Sequence, residues 1–305
     1  MGICFKLLSN TEVFKEMKKS EILVPIFTPF KQDQSVDYEA LKKLVKYVLD
    51  KGADGLYTTG SSAETFLLTE DERKRTLEVA AKAANGATIV AHVGAVGTDL
   101  AVMFAKHAKS VGVDAVASVP PFYYAHDQAS IKKYYTDIVD ECGLKIMVYN
   151  MPGGTGVQMG ISQLNDLLSD DRIYAMKYTA PNCYILERII NQTNKPIYSG
   201  MDEGFASALM AGATGAIGTT MNIYPQAFIQ IKKAFDERDI SKTQALQTRL
   251  NNIIQPMVDG NMVLAAMKYV SKLVGVDCGQ PRRPFKQLTQ KDMEILELAV
   301  KNNAF

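Results

Sequence analysis

The chain has 305 residues, 47% of them hydrophobic and 22% charged, enough for one large α/β domain or two ordinary ones. A net charge of +1 gives no electrostatic reason to expect nucleic acid or an anionic membrane as partner, and no apolar run approaches the roughly 18 residues that span a bilayer. The four cysteines, Cys4, Cys142, Cys183 and Cys278, form no CxxC pair and have no histidine cluster nearby, which argues against a disulfide framework or a zinc site and fits a reducing, cytoplasmic setting.

Residues 1–18 read as an extension ahead of the fold. They lack the long apolar core of a secretory signal, and Lys6 stands where a myristoylation signal needs Ser or Thr. Ile22–Phe27 reads as a first buried strand. Asp37 can cap a helix over Tyr38–Asp50, whose Leu41, Leu44, Val45 and Val48 share one face. The strand Gly55–Thr58 leads into Thr59-Gly60-Ser61-Ser62-Ala63-Glu64, and Thr69 with Glu72 forms a capping box for a helix over Glu70–Ala84. Strand Thr88–Val93, helix Asp99–Val111, strand Ala115–Val119 and a helix from Gln128 follow. Strand Lys145–Tyr149 runs into a Pro-Gly-Gly turn, and helix Ser162–Leu168 precedes the strand that carries Lys177. Helix Tyr184–Gln192, strand Pro196–Ser199, helix Glu203–Ala211 and strand Gly215–Gly218 complete the alternation. Beyond Tyr224 the chain reads as helical.

About eight strand–helix alternations predict a closed (β/α)₈ TIM barrel over residues 19–225, with the helices of 226–305 packed on it. Gly52-Ala53-Asp54-Gly55, Gly112-Val113-Asp114-Ala115 and Gly212-Ala213-Thr214-Gly215 repeat a helix-ending glycine just ahead of a strand. A doubly wound nucleotide fold is disfavoured, because no GxGxxG follows a strand.

Lys177 ends an apolar strand, Ile173-Tyr174-Ala175-Met176-Lys177. An amine in that position is buried at cost and suits a nucleophile that forms a Schiff base. Strand C-termini of a barrel share one mouth, so four other clusters point to the same place. Ser61 and Ser62 offer hydroxyls and backbone N–H groups that can hold a carboxylate, although a turn with a helix cap accounts for them equally well. Tyr149 ends a strand and can donate or accept a proton, or simply fill the core. Asp202 and Glu203, after Gly200, can accept hydrogen bonds from a polyhydroxylated ligand or favour the start of the next helix. Thr219 and Thr220 follow the last strand, a weak phosphate signal. His92, His107 and His126 form no constellation, and no metal, flavin or nicotinamide site is legible.

Taken together, Gly60-Ser61-Ser62-Ala63-Glu64, Tyr149-Asn150-Met151-Pro152, the Lys177 strand, Gly200-Met201-Asp202-Glu203 and Gly215-Ala216-Ile217-Gly218 resemble the N-acetylneuraminate lyase and dihydrodipicolinate synthase superfamily of class I aldolases. The resemblance runs from Ile22 to about Pro225. It implies a homotetrameric barrel that binds pyruvate as an imine on Lys177 and needs no metal or organic cofactor. The synthase branch carries an arginine after its Tyr-Asn-x-Pro segment, where this chain has Gly153-Gly154-Thr155; the sialic acid lyase branch is the better match. Another pyruvate-dependent aldolase or dehydratase of the superfamily is the alternative. A binding protein without catalysis is disfavoured, because Lys177 and Tyr149 are both present.

The same resemblance implies roles. Lys177 is the imine-forming residue, Tyr149 the proton shuttle, and Ser61 and Ser62 the carboxylate holders. Tyr123 reaches a neighbouring subunit to complete a hydroxyl relay with Ser61 and Tyr149. Thr179, Gly200, Asp202, Glu203 and Thr219 contact the sugar. Ala63 stands where the family usually has glycine, which requires a local backbone open to a residue with a Cβ.

Overall fold

The computed structural model describes residues 21–305, so the extension expected over 1–18 lies outside the described residues. Eight parallel strands pair in chain order: β1 (Leu23–Pro25), β2 (Gly55–Thr58), β3 (Thr88–His92), β4 (Ala115–Ser118), β5 (Ile146–Asn150), β6 (Ile173–Tyr178), β7 (Ile197–Ser199) and β8 (Gly215–Ala216). A parallel bridge between Ile22 and Ala216 joins the two ends, and the predicted barrel is closed.

The strands separate two cores by their alternation. Tyr57, Val90, Ala117, Met147, Tyr149, Ala175 and Tyr198 cluster in the lumen. Their neighbours Leu56, Ile89, Val116, Ile146, Val148, Met176 and Ile197 join a larger cluster with the helices outside. Lys177 therefore faces inward, two residues beyond Ala175, and in register with Tyr149 on one side and Tyr198 on the other.

The outer layer is α1 (Tyr38–Asp50), α2 (Glu70–Ala84), α3 (Thr98–Val111), α4 (Gln128–Cys142), the short α5 (Pro152–Thr155), α6 (Ile161–Leu168), α7 (Cys183–Gln192), α8 (Phe205–Met210) and α9 (Pro225–Asp236). Asp37 caps α1 through the amides of Glu39 and Ala40, and the Thr69/Glu72 capping box opens α2 as predicted. The repeated glycines Gly52, Gly112 and Gly212 all have positive φ, at 94°, 85° and 98°, the left-handed geometry that ends a helix and turns the chain back to the sheet. The expected helix over Glu203–Ala211 is shorter, because Asp202–Gly204 forms one tight 3₁₀ turn ahead of α8. The Pro-Gly-Gly turn is likewise the single helical turn α5.

The C-terminal helices α10 (Ile240–Asp259), α11 (Val263–Leu273) and α12 (Gln290–Asn303) brace the rim at the C-terminal ends of the strands. From α10, Gln247 donates to the Asp202 carbonyl and accepts from the Ala206 amide, while Asn251 donates to the Glu203 carbonyl. From α11, Lys268 reaches the loop after β2. No helix among the described residues is long and apolar enough to cross a membrane, and Cys142, Cys183 and Cys278 are free thiols.

Candidate active site

Lys177 is 4% exposed. Its Nζ lies 4.2 Å from the ring centroid of Tyr149 and 4.9 Å from that of Tyr57. No carboxylate pairs with it among the described residues. An amine held between two aromatic faces, removed from water and not tied up in an ion pair, is available as a nucleophile.

The chain closes tightly on the lysine from β7. A Cβ on Gly200 would stand 1.8 Å from Thr179 Oγ1 and 3.0 Å from Lys177 Cε, so only glycine lets the β7 turn approach these two groups. Gly218 plays the same part for the acidic residue: a Cβ there would collide with Asp202 Oδ1. Asp202 is buried, and its Oδ2 accepts from both the amide and the hydroxyl of Thr220, each at 2.8 Å. Its Oδ1 has no protein partner among the described residues, and neither does Thr179 Oγ1. Two buried acceptors left open beside a buried amine are what a polar ligand would satisfy, since an unpaired buried polar atom is otherwise costly.

Burial, opposed by the Thr220 hydrogen bonds, raises the Asp202 carboxyl to about 6. The folded value exceeds the unfolded one, so this group's contribution to stability is intact below about pH 4 and lost as pH rises through 6.

On the β2 side, Ser62 Oγ bonds to Thr219 Oγ1 at 2.9 Å, which ties the two predicted hydroxyl loops together. Ser61 Oγ and the Tyr149 hydroxyl do not meet. Both point to the thioether of Met151, at 4.0 and 3.0 Å. Tyr123, with φ of 80°, is 83% exposed and packs on Tyr124, not on the site of its own chain. Glu203 is exposed at the rim. The left-handed residues of the β2 loop are Thr59 and Glu64, with φ of 51° and 57°; Ala63 sits inside a 3₁₀ turn, and its Cβ is accommodated.

The chain matches the dihydrodipicolinate synthetase family over residues 18–303. It is 36% identical to the N-acetylneuraminate lyase of Citrobacter koseri over 279 residues, 90% of this chain and 94% of the relative. The structure superposes on CdNal from Clostridium difficile, solved in complex with mannosamine, with a TM-score of 0.91 at 30% identity, covering 94% of this chain and 100% of that one. The N-acetylneuraminate lyase of Fusobacterium nucleatum complexed with pyruvate gives 0.88 at 32% identity, over 94% and 98% of the two chains. The chain belongs to the dihydrodipicolinate synthetase family. It is a pyruvate-dependent aldolase of that family, as the sequence resemblance implied.

For a member of this family the segment after Tyr149 is informative. Pro152–Gly156 carries no charged side chain, and Thr155 Oγ1 bonds back to the Met151 carbonyl. That segment itself supplies no cation to grip a second carboxylate.

Three supports of the site were not legible as such in the sequence. Met151 received no role, although its sulfur holds the Tyr149 hydroxyl. Glu64 appeared only as the end of the hydroxyl loop. In the fold it makes a fully buried ion pair with Lys268 at 2.6 Å, and its other oxygen accepts from the Arg282 amide. Lys268 also donates to the Thr28 carbonyl and lies over the Phe30 ring. No local signal links positions 64 and 268.

His92 is the third. It belongs to no constellation in the sequence, yet it is buried in the wall behind Tyr149, with ring centroids 6.0 Å apart. Its Nδ1 meets the Thr59 carbonyl, which only accepts, and its Nε2 meets the Val119 amide, which only donates. The proton is therefore on Nδ1. Burial and the nearby Arg73 guanidinium push its acidity well away from the imidazolium form, so the ring stays neutral. His107 instead meets Glu78 at the edge between α2 and α3, remote from Lys177.

Proposed function

We propose that the protein is an N-acetylneuraminate lyase, cleaving open-chain N-acetylneuraminate to N-acetylmannosamine and pyruvate through an imine on Lys177. The observation that carries this reading is the buried Lys177 amine beside the Tyr149 ring, near two buried acceptors with no partner among the described residues, Thr179 Oγ1 and Asp202 Oδ1. Thr179, Gly200, Asp202, Glu203 and Thr219 serve the sugar hydroxyls. The absence of charge in Pro152–Gly156 favours a polyol over a second anionic substrate.

Lys177 Nζ adds to the C2 ketone and water leaves, giving an iminium. Ser61 and Ser62 hold the C1 carboxylate. Tyr149 gives its proton to the departing hydroxyl as water, and the resulting phenolate takes the proton of the C4 hydroxyl as the C3–C4 bond breaks and that bond's electron pair moves toward the iminium nitrogen. The aldehyde of N-acetylmannosamine departs. The enamine is protonated at C3, and water then hydrolyses the imine to release pyruvate and restore the amine. For Tyr149 to act, its hydroxyl must leave Met151 and turn to the substrate. In this reading the exposed Tyr123 serves a second copy of the chain within a homotetramer.

The decisive measurement is pyruvate release from N-acetylneuraminate. Absence of pyruvate, with faster turnover of 2-keto-3-deoxy sugar acids, would move the assignment to a sister aldolase.

Tyr149→Phe should lower kcat by a factor on the order of 10² or more; a parent-like kcat would remove the phenol from the proton path. A second expectation follows from Asp202, held up to about 6 by burial. Oδ1 accepts a sugar hydroxyl best when ionised, so KM for N-acetylneuraminate should fall as pH rises from about 5 to 7. Asp202→Asn should raise KM and remove that inflection. A pH profile of KM unchanged in Asp202→Asn would show that another group sets it.

A further inference from the structure

Thr59, the residue that launches the hydroxyl loop, has a φ of 51°. For a β-branched side chain the left-handed region is a true outlier, so something must hold it there. The β2–β3 ladder runs out one step earlier, at the Thr58–Ala91 pair. In its place Thr59 and His92 make a reciprocal pair: Thr59 Oγ1 donates to the His92 carbonyl at 2.9 Å, and His92 Nδ1–H donates to the Thr59 carbonyl at 3.1 Å. The Val119 amide fixes the ring from behind, and Arg73 Nη2 donates to the same His92 carbonyl at 2.8 Å. All of this is buried, and the ring sits edge-on to Tyr149 and 6.2 Å from both Tyr57 and Phe66.

We propose that His92 is a positioning residue: its Nδ1–H pins Thr59 in the left-handed conformation that aims Ser61 and Ser62 at the substrate carboxylate. The inference rests on the carboxylate-binding role of those serines. His92 touches no substrate and exchanges no proton. A hydrogen-bond clamp of this kind sets how well the keto acid is held and leaves the Lys177 amine where it is. Removing the donor lets Thr59 relax toward ordinary backbone angles and swings the loop. Glycine at position 59 would need no clamp, because the left-handed region carries no penalty for it.

The test measures the pyruvate concentration that half-saturates borohydride trapping on Lys177, together with the maximal trapping rate. The parent is measured first: no trapping in the parent defeats the aldolase reading itself and leaves the clamp without a function. With a trapping parent, His92→Phe should raise the half-saturating concentration about fivefold or more, with the maximal rate within about twofold. His92→Asn, whose amide nitrogen stands near the Nδ1 position, should stay close to the parent. Adding Thr59→Gly to His92→Phe should restore most of the lost affinity. Should His92→Phe fail to fold, Thr59→Val removes the other half of the reciprocal pair and should weaken pyruvate in the same way. Parent-like half-saturation in His92→Phe or Thr59→Val, or no recovery on adding Thr59→Gly, overturns the proposal.

Discussion

Lys177→Ala is expected to abolish turnover, with kcat falling by a factor on the order of 10⁶, the scale seen when a covalent nucleophile is removed. Borohydride with pyruvate should fix added mass on Lys177 in the parent and none in the variant. Lys177→Arg sharpens the comparison. It keeps a cation between the Tyr57 and Tyr149 rings, but a guanidinium does not form an imine. If charge alone stabilised the substrate, the arginine variant would retain part of the activity; the imine route predicts that it is as inactive as the alanine. The fold should survive both changes. Lys177 packs in the lumen without an ion pair among the described residues, and it is not part of the barrel's outer core. Reduction of the parent with pyruvate that left the protein unmodified would end the Schiff-base mechanism.

Glu64→Gln is expected to be the most destabilising single substitution near the site. Both charged groups of the Glu64–Lys268 pair are wholly excluded from solvent. Removing one partner of such a pair costs about 3–5 kcal/mol, because the other charge is left buried and unpaired, and Tm should drop by roughly 10 °C. Burial raises the Glu64 carboxyl and lowers the Lys268 ammonium, each against the pull of the other. Whichever partner is left alone is therefore driven toward its neutral form, the acid keeping the Arg282 amide and the amine keeping the Thr28 carbonyl. The double variant Glu64→Gln with Lys268→Met should be more stable than Glu64→Gln alone. Thermal unfolding of the four proteins gives the coupling directly. Additive losses would mean that the pair does not act as a unit. Catalysis should respond as well, since Glu64 ends the loop that presents Ser61 and Ser62, and a loosened loop raises KM.

Lys177 and Lys268 are both buried lysines, and they differ in how far the sequence alone reveals them. Lys177 was identified by its strand: an apolar run that ends on an amine, at one rim of an alternating β/α pattern. Lys268 lies on an amphipathic helix of the tail, where a lysine reads as solvated. Only the packing of α11 against the β1 and β2 loops buries it.

The same division runs through the molecule. Hydrophobic periodicity, capping residues such as Asp37 and Thr69, and helix-ending glycines are local properties of the chain, and they set the eightfold alternation and hence the barrel. Because a closed parallel barrel gathers its strand ends at one rim, Lys177, Tyr149, Ser61, Ser62, Asp202 and Thr219 are legible as a group in the sequence, whereas Thr179 enters only through the family resemblance. What depended on the tertiary structure was every contact between residues distant in sequence: Met151 under the phenol, Gly200 against Thr179 and the lysine stem, Asp202 with one oxygen satisfied and one left open, and His92 holding a strained Thr59. Side-chain direction at the end of a strand and the pairing of buried polar groups are fixed by neighbours from other strands and helices, and no one-dimensional pattern encodes those neighbours.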